Sequence, residues 1–417
     1  MTRRANGTSN RSDRSRAAVA AALLAFGAVL GGGATEAQVA VFGDVVHTVA
    51  GEPIEDGVVL VVEGKIAAVG PAAAVAVPDG SERVRAPVVV PGLIDAHSVV
   101  GLAGAQNQPH DQDQLDRSEP LQPELRAIDA YDPGEPLVDW LRSLGVTTLH
   151  TGHAPGALIS GQTMIVKTKP TTVADATLVP FAMVACTLGE GARNDGKGPP
   201  GNRSKAAAML RGALLAAREY EGRREADAEK RPPRDLRHEA LASVLRGEVP
   251  LLVTVHRRHD VRTALRIAEE FDVRLVLDGM AEAVAVLDEL REAGTPVLLH
   301  PTMVRPSGER RNASMETAAR LKEAGIPFAI QGGYESYVPK TRYVGFEAGI
   351  AAQNGLAPDD ALAAITLDAA RILGVDDRVG SLEVGKDGDL ALFDGDPLET
   401  TTRCLGVVLD GVPHLDR

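Results

Sequence analysis

The sequence predicts an α/β protein wrapped at both chain ends by a small β-rich layer, and two patterns predict it. Residues 137–331 alternate short β-branched or apolar runs with longer helical patterns, joined by short loops. Such alternation specifies a parallel sheet or barrel. Residues 39–90 and the tail from Gly380 instead carry valine-rich strands punctuated by Gly, Pro and Asp. Two strand-rich ends around an alternating middle pair with each other, here as a small sandwich. The 417 residues suffice for more than one domain, and 44% apolar with 24% charged content is that of a soluble globular chain. Aromatic residues make up only 3%, so Val, Leu and Ala must fill the core.

Residues 1–37 read as an export signal. Arg3, Arg4, Arg11, Arg14 and Arg16 form a basic start, and residues 17–30 are an apolar run too short to span a bilayer comfortably. Small residues follow, with cleavage expected after Ala34 or Ala37; an uncleaved anchor is the competing reading. Export places the mature protein in the periplasm or outside the cell, with no membrane contact once the signal is removed. Losing those arginines against only Asp13 and Glu36 makes a chain already at −13 more acidic, which argues against a nucleic-acid partner or adhesion to anionic lipid. Cys186 and Cys404 form no disulfide framework, and Cys186, closing the run PFAMVAC, reads as a small buried hydrophobe.

Within the first flank, VAVFGDVVHTV, GVVLVVEGKIAAVG and VRAPVVV are the strands. The stretch VVVPGLIDAHSVVGLAG (88–104) then breaks at Pro91-Gly92 and starts a short buried strand that ends at His97. A helix at 137–143 leads to a strand at 146–150. Helices at 205–224 and 237–246 precede a strand at 249–256. Beyond it, helix 262–271, strand 274–277, helix 281–293, strand 296–300, helix 313–324 and strand 327–331 alternate strictly. Right-handed crossovers gather the carboxyl ends of such strands on one face. His97, His150, His153, His256, His259 and His300 all fall at or just after a predicted strand end, and imidazole suits zinc. The polar, proline-broken residues 107–132 read as a lid-like loop over that face. Residues 150–168, HTGHAPGALISGQTMIVKT, read as a hairpin-like insertion near it; no GxxxxGK[ST] loop and no GxSxG elbow is present.

Two motifs carry a resemblance to a known family. PGLIDAH resembles the PGLIDxHxH signature of the amidohydrolase superfamily, especially members similar to imidazolonepropionase, and GSLEVGKDGDL resembles their GSLExGKxADL segment. The resemblance implies a TIM (β/α)8 barrel over residues 91–375, with a small composite β-sandwich from residues 38–90 and 376–417. It implies metal-dependent hydrolysis of a non-peptide C–N bond in a small amide or cyclic amide, with a divalent metal, zinc first. A small-molecule substrate is the expected partner, and a homo-oligomer is compatible with it.

The chain departs from that pattern at three positions. Val99 stands where the second histidine of the signature belongs, Gly279 follows Asp278 where strand six should end in histidine, and Gln331 replaces the strand-eight aspartate that binds metal and acts as base. His97 and His256 remain as family-type ligands. A catalytic zinc takes about three protein ligands, so His150, His153, His259 and His300 are candidate substitutes, with Asp278 or Glu335 as base. Lys167 and Lys169 are comparable to the family's carbamylated lysine, but their place after strand two argues against that role. Two functions stay open: a metal-dependent hydrolase, or a barrel that has lost catalysis and serves as a binding or partner protein.

Overall fold

A computed structural model describes residues 38–193, 198–225, 231–334 and 343–415; the expected signal segment and Glu335 lie outside these. Strands β1 (Gln38–Val46), β2 (Ile54–Val62), β3 (Lys65–Pro71) and β4 (Glu82–Pro91) open the chain. The barrel strands follow: β5 (Leu93–Ser98), β6 (Val146–Gly152), β7 (Ile159–Lys167), β8 (Thr177–Val179), β9 (Val184–Thr187), β10 (Leu251–Val255), β11 (Leu275–Gly279), β12 (Val297–Leu299) and β13 (Phe328–Ile330). The tail closes with β14 (Leu390–Phe393), β15 (Cys404–Leu409) and β16 (Val412–Leu415).

The two chain ends do build one layer. Its order is β16-β15-β14-β4-β1-β2-β3, a single seven-stranded sheet, and β14 joins the halves by pairing antiparallel with β4 from Leu390↔Pro91 to Phe393↔Val88. Val39, Val41, Val59, Val89, Leu390 and Val408 form a buried cluster on it, the alternating valines of the sequence turned to one face. The turn after β2 is drawn back across the sheet: Ile66 N donates to Lys386 O and Gly388 N to Gly64 O.

The barrel sheet runs β5-β6-β7-β9-β10-β11-β12-β13, with β8 set against β7. It is nearly closed, since Gly332 N, just past β13, donates to Asp95 Oδ1 on β5 at 3.0 Å. Ile94, Ala96, Ile165, Leu252, Val276, Leu298 and Ala329 pack inside it. The larger cluster, including Leu149, Val253, Leu277, Leu214, Ile267 and Leu321, lies between strands and helices. The amphipathic helix Arg258–Phe271 shows why: Val261, Ala264, Ile267 and Phe271 recur at helical spacing on its buried side.

One strand departs from the expected parallel alternation. β7 pairs antiparallel with β6 and with β9. The expected hairpin at residues 150–168 therefore exists, but as a staff of the barrel rather than an insertion beside it. Its carboxyl end, Lys167, consequently lies at the base, against the small sheet. Nζ there lies 2.7 Å from Asp387 Oδ2 and 2.8 Å from Asp389 Oδ2 and also contacts Asp410. Arg378 and Lys65 bind Asp387 as well, and Lys169 binds Asp410. A lysine already bound by three carboxylates at the base is remote from any chemistry at the strand ends.

Candidate functional site at the barrel mouth

Strand alternation aims the candidate residues. Leu252 and Thr254 on β10, Val276 and Asp278 on β11, Leu298 on β12 and Ala329 on β13 face inward, and continuing each period by two adds His256, His300 and Gln331. On β5 the register against β6 shifts on both sides of Asp95. Such irregularities re-aim side chains, and here both Asp95 and His97 reach the interior.

Asp278 is the centre of the arrangement and is fully buried. Its Oδ1 lies 3.0 Å from His97 Nδ1 and 2.6 Å from Gln331 Nε2, while Oδ2 accepts from Thr254 Oγ1 at 2.6 Å. Burial alone would raise the Asp278 carboxyl, but His97 and the donated hydrogen bonds outweigh it and hold the group below the ordinary carboxylate value. Gln331 also donates to Leu298 O at 3.2 Å. Asp95, two residues before His97, accepts from the backbone N–H groups of Gly332 and His97. Burial still dominates there and pushes Asp95 up to about 7.

The remaining histidines divide by surroundings. His150 is buried with both nitrogens engaged, Nδ1 at 2.7 Å from Ala96 O and Nε2 at 2.7 Å from Thr163 Oγ1. Burial drives its pKa down to about 3, so it is a neutral structural ring with no lone pair to spare for metal. His153 is buried beside Gly161, where a Cβ would sit 2.3 Å from its ring; φ of +139° there also favours glycine. His256 lies at the end of β10, its Nε2 3.5 Å from Tyr334 Oη. Its ring covers Gly279, and a Cβ at that position, with φ of +87°, would come within 2.6 Å of Cε1. The space of the expected strand-six ligand is thus held by His256 itself. His300 is buried with Nδ1 2.7 Å from Pro301 O, and burial lowers its pKa. His259 instead sits half-exposed at the start of a helix, 3.4 Å from Asp260, and takes no part. Val99 packs against Ala103, Ala154, Leu115 and Tyr334 as an ordinary core residue.

A cavity of about 210 Å³ is lined by Thr254, His256 and Tyr334 of this group, together with Thr187, Arg117 and Arg310 among others. Arg117 belongs to the long loop after β5. That loop is tied to the β6–β7 hairpin by backbone bonds: Ala154 N donates to Gln114 O, Gln122 N to Ile159 O, and Ile159 N to Pro120 O.

The donors present do not match a three-ligand zinc site. Among the described residues, three metal-capable side chains with ligand atoms within 4.8 Å of one another occur together at Asp387, Asp389 and Asp410, where Lys167 already supplies the cation. No such group of three is described at the mouth. Sequence reasoning missed Asp95, Thr254 and Thr163. The first two were open to it, since each lies two residues before a histidine already singled out, on the same face of its strand.

A barrel of this topology, joined to a sheet from both chain ends and carrying its polar residues at the strand ends, defines an amidohydrolase-type architecture. Residues 339–412 match the profile of the amidohydrolase family. An amidohydrolase of Thermotoga maritima superposes with a TM-score of 0.85 at 27% identity, covering 91% of this chain and 100% of that one. Amidohydrolase tasK of Hapsidospora irregularis is 23% identical over 359 residues, 78% of this chain but 36% of tasK. Imidazolonepropionase of Syntrophobacter fumaroxidans is 38% identical over 110 residues, 26% of this chain and 25% of that enzyme. The matched part is therefore well under two thirds of either relative's length. An adenosine deaminase of Xanthomonas campestris, whose structure was solved with bound zinc, shares the fold at a TM-score of 0.55 and 18% identity. The profile match, these relatives and the shared fold together support a member of the amidohydrolase superfamily, a group that generally uses divalent metals.

Proposed function

We propose that this chain is an exported amidohydrolase-fold protein that binds a small molecule at the barrel mouth and does not carry out the metal-dependent hydrolysis expected from its superfamily. One observation carries the reading: the Gln331 amide donates to Asp278 Oδ1 at 2.6 Å. At the strand-eight position the reaction needs a carboxylate that takes a proton from water, and an amide cannot take one. Here that amide, His97 and Thr254 surround Asp278 with hydrogen bonds instead. His256 over Gly279 and the packed Val99 support the same reading. Export rests on the basic start and apolar run of residues 1–37, and N-terminal sequencing of secreted protein tests it.

The test of function is elemental analysis of the purified full chain beside a His97→Ala/His256→Ala double variant. The expected result is far less than one zinc, iron or manganese per chain in both proteins, even after reconstitution. About one metal per chain that disappears in the double variant would overturn the reading.

A second reading, hydrolysis of non-peptide C–N bonds in small amides with His97, His256 and His300 on a divalent metal, is favoured by two facts. The matched relatives are named as hydrolases, and Nε2 of both His97 and His300 is buried with no hydrogen-bond partner among the described residues. The same metal measurement decides between the two.

A further inference from the structure

The charge around the small cavity at the mouth runs against that of the whole chain. The protein carries a net charge of −13, yet two of the residues around this space of about 210 Å³ are arginines, Arg117 and Arg310. One carboxylate, Glu309, shares the lining, and it is already claimed: Arg203 Nη2 donates to its Oε1 at 2.7 Å. Asp278 is linked to the lining through Thr254, which donates to its Oδ2 at 2.6 Å, and its other oxygen is taken by His97 and Gln331. Neither acid therefore answers the arginines. Arg117 in particular is exposed, and its guanidinium makes no hydrogen bond or ion pair among the described residues.

The donors meet at one glycine. A Cβ built at Gly156 would stand 3.0 Å from Arg117 Nη2, and Gly156 N donates to Thr187 Oγ1 at 3.2 Å. The guanidinium and the hydroxyl thus flank a single residue of the wall. Thr187 is buried at the end of β9 and spends an oxygen lone pair on that bond, which leaves its O–H proton to donate. Leu188 and Pro155 add apolar wall to the same space. A guanidinium fork beside a hydroxyl donor matches the paired oxygens of a carboxylate, and such charge-assisted bonds are about twice as strong as neutral ones. Resting on the binding reading above, we infer that the barrel mouth takes a small carboxylate, R–COO⁻, gripped by Arg117 with Thr187 as the second donor. Arg310 adds positive charge at the same space, and R lies against Leu188 and Pro155. The volume is that of about seven waters, which suits an acid the size of butyrate.

The test is thermal unfolding of the full chain with sodium butyrate, against butyramide at ionic strength matched with sodium chloride. Butyrate is expected to raise the Tm to a saturating value, whereas butyramide, of the same shape but uncharged, leaves it unchanged. Arg117→Gln is expected to weaken butyrate binding about tenfold or more, the size of one charge-assisted hydrogen bond. Equal responses to acid and amide, no response to either, or an Arg117→Gln variant that binds butyrate as the parent does would each overturn the inference. The metal-free reading survives those outcomes, because metal content decides it separately. About one metal per chain, lost with His97 and His256, would overturn that reading instead; Arg117→Gln still decides the carboxylate grip there, since Arg117 is no metal ligand. The comparison of acid with amide uses the unmodified protein, so it stands whatever the variant does to folding.

Discussion

Asp95 and His150 lie close together in the chain's interior and respond to acid in opposite directions. Burial pushes Asp95 up to about 7, so the fold holds its proton more tightly than the unfolded chain does. Its contribution to stability is present at low pH and is lost as pH rises through 7. Burial drives His150 down to about 3, so its contribution is present above the unfolded value of about 6.5 and is lost as pH falls. Between about pH 4 and 6.5 the two oppose each other. Asp95→Asn keeps the acceptor for Gly332 and His97 while removing the titration. The variant should gain stability with rising pH more steeply than the parent over that range, by about 1.4 kcal/mol per pH unit. Urea denaturation at several pH values measures it, and an unchanged slope would show that Asp95 is not held protonated. At this scale the histidines at the strand ends were legible in the sequence, because strand ends can be read locally. Which of them keep a free lone pair was not, because the partners come from other strands: Ala96 O for His150, Asp278 for His97.

Among the elements, β7 is where reading and structure part most. Its residues ISGQTMIVK are buried throughout, and an apolar run looks the same whichever way it is threaded, so only the short link from β6 signalled a reversal. The lysine at its end reads in sequence only as a counterpart of the family's carbamylated lysine, set aside for its place after strand two. Its partners Asp387 and Asp410 lie 220 and 243 residues further along, beyond any local pattern. Asp389 depends on it most, since Lys167 is the cation that contacts it while Asp387 keeps Arg378 and Lys65. Burial already raises the Asp389 carboxyl. Lys167→Met should therefore cost about 3–5 kcal/mol at neutral pH. With the Asp389 pKa raised further, the loss should shrink as the medium is acidified and the carboxyl takes a proton. Equal losses at low and neutral pH would mean that the lysine acts through packing alone.

At the scale of the whole molecule, the pairing of the two chain ends was the most legible feature, because both ends carry the same valine-and-turn style while the middle does not. The single continuous sheet they form was less so, since register across 300 residues leaves no local trace. β14 covers Val88–Phe393 to Pro91–Leu390, so a chain ending at residue 375 leaves the edge of β4 and its valine cluster open to water. That truncation should yield aggregated protein, read by soluble yield and size exclusion, and a monodisperse truncated barrel would show that the sheet is dispensable.

The reversed strand also bears on how the protein can change over generations. In a wholly parallel barrel every strand delivers a loop to the mouth, and each loop can lengthen or drift without disturbing the closed sheet. Here one strand delivers its carboxyl end to the base, so residues added after Lys167 would accumulate beside Asp387 and Asp410, far from any ligand. The hairpin between β6 and β7 stays a fixed lip, and heritable variation in what the mouth accepts is left to the other rims.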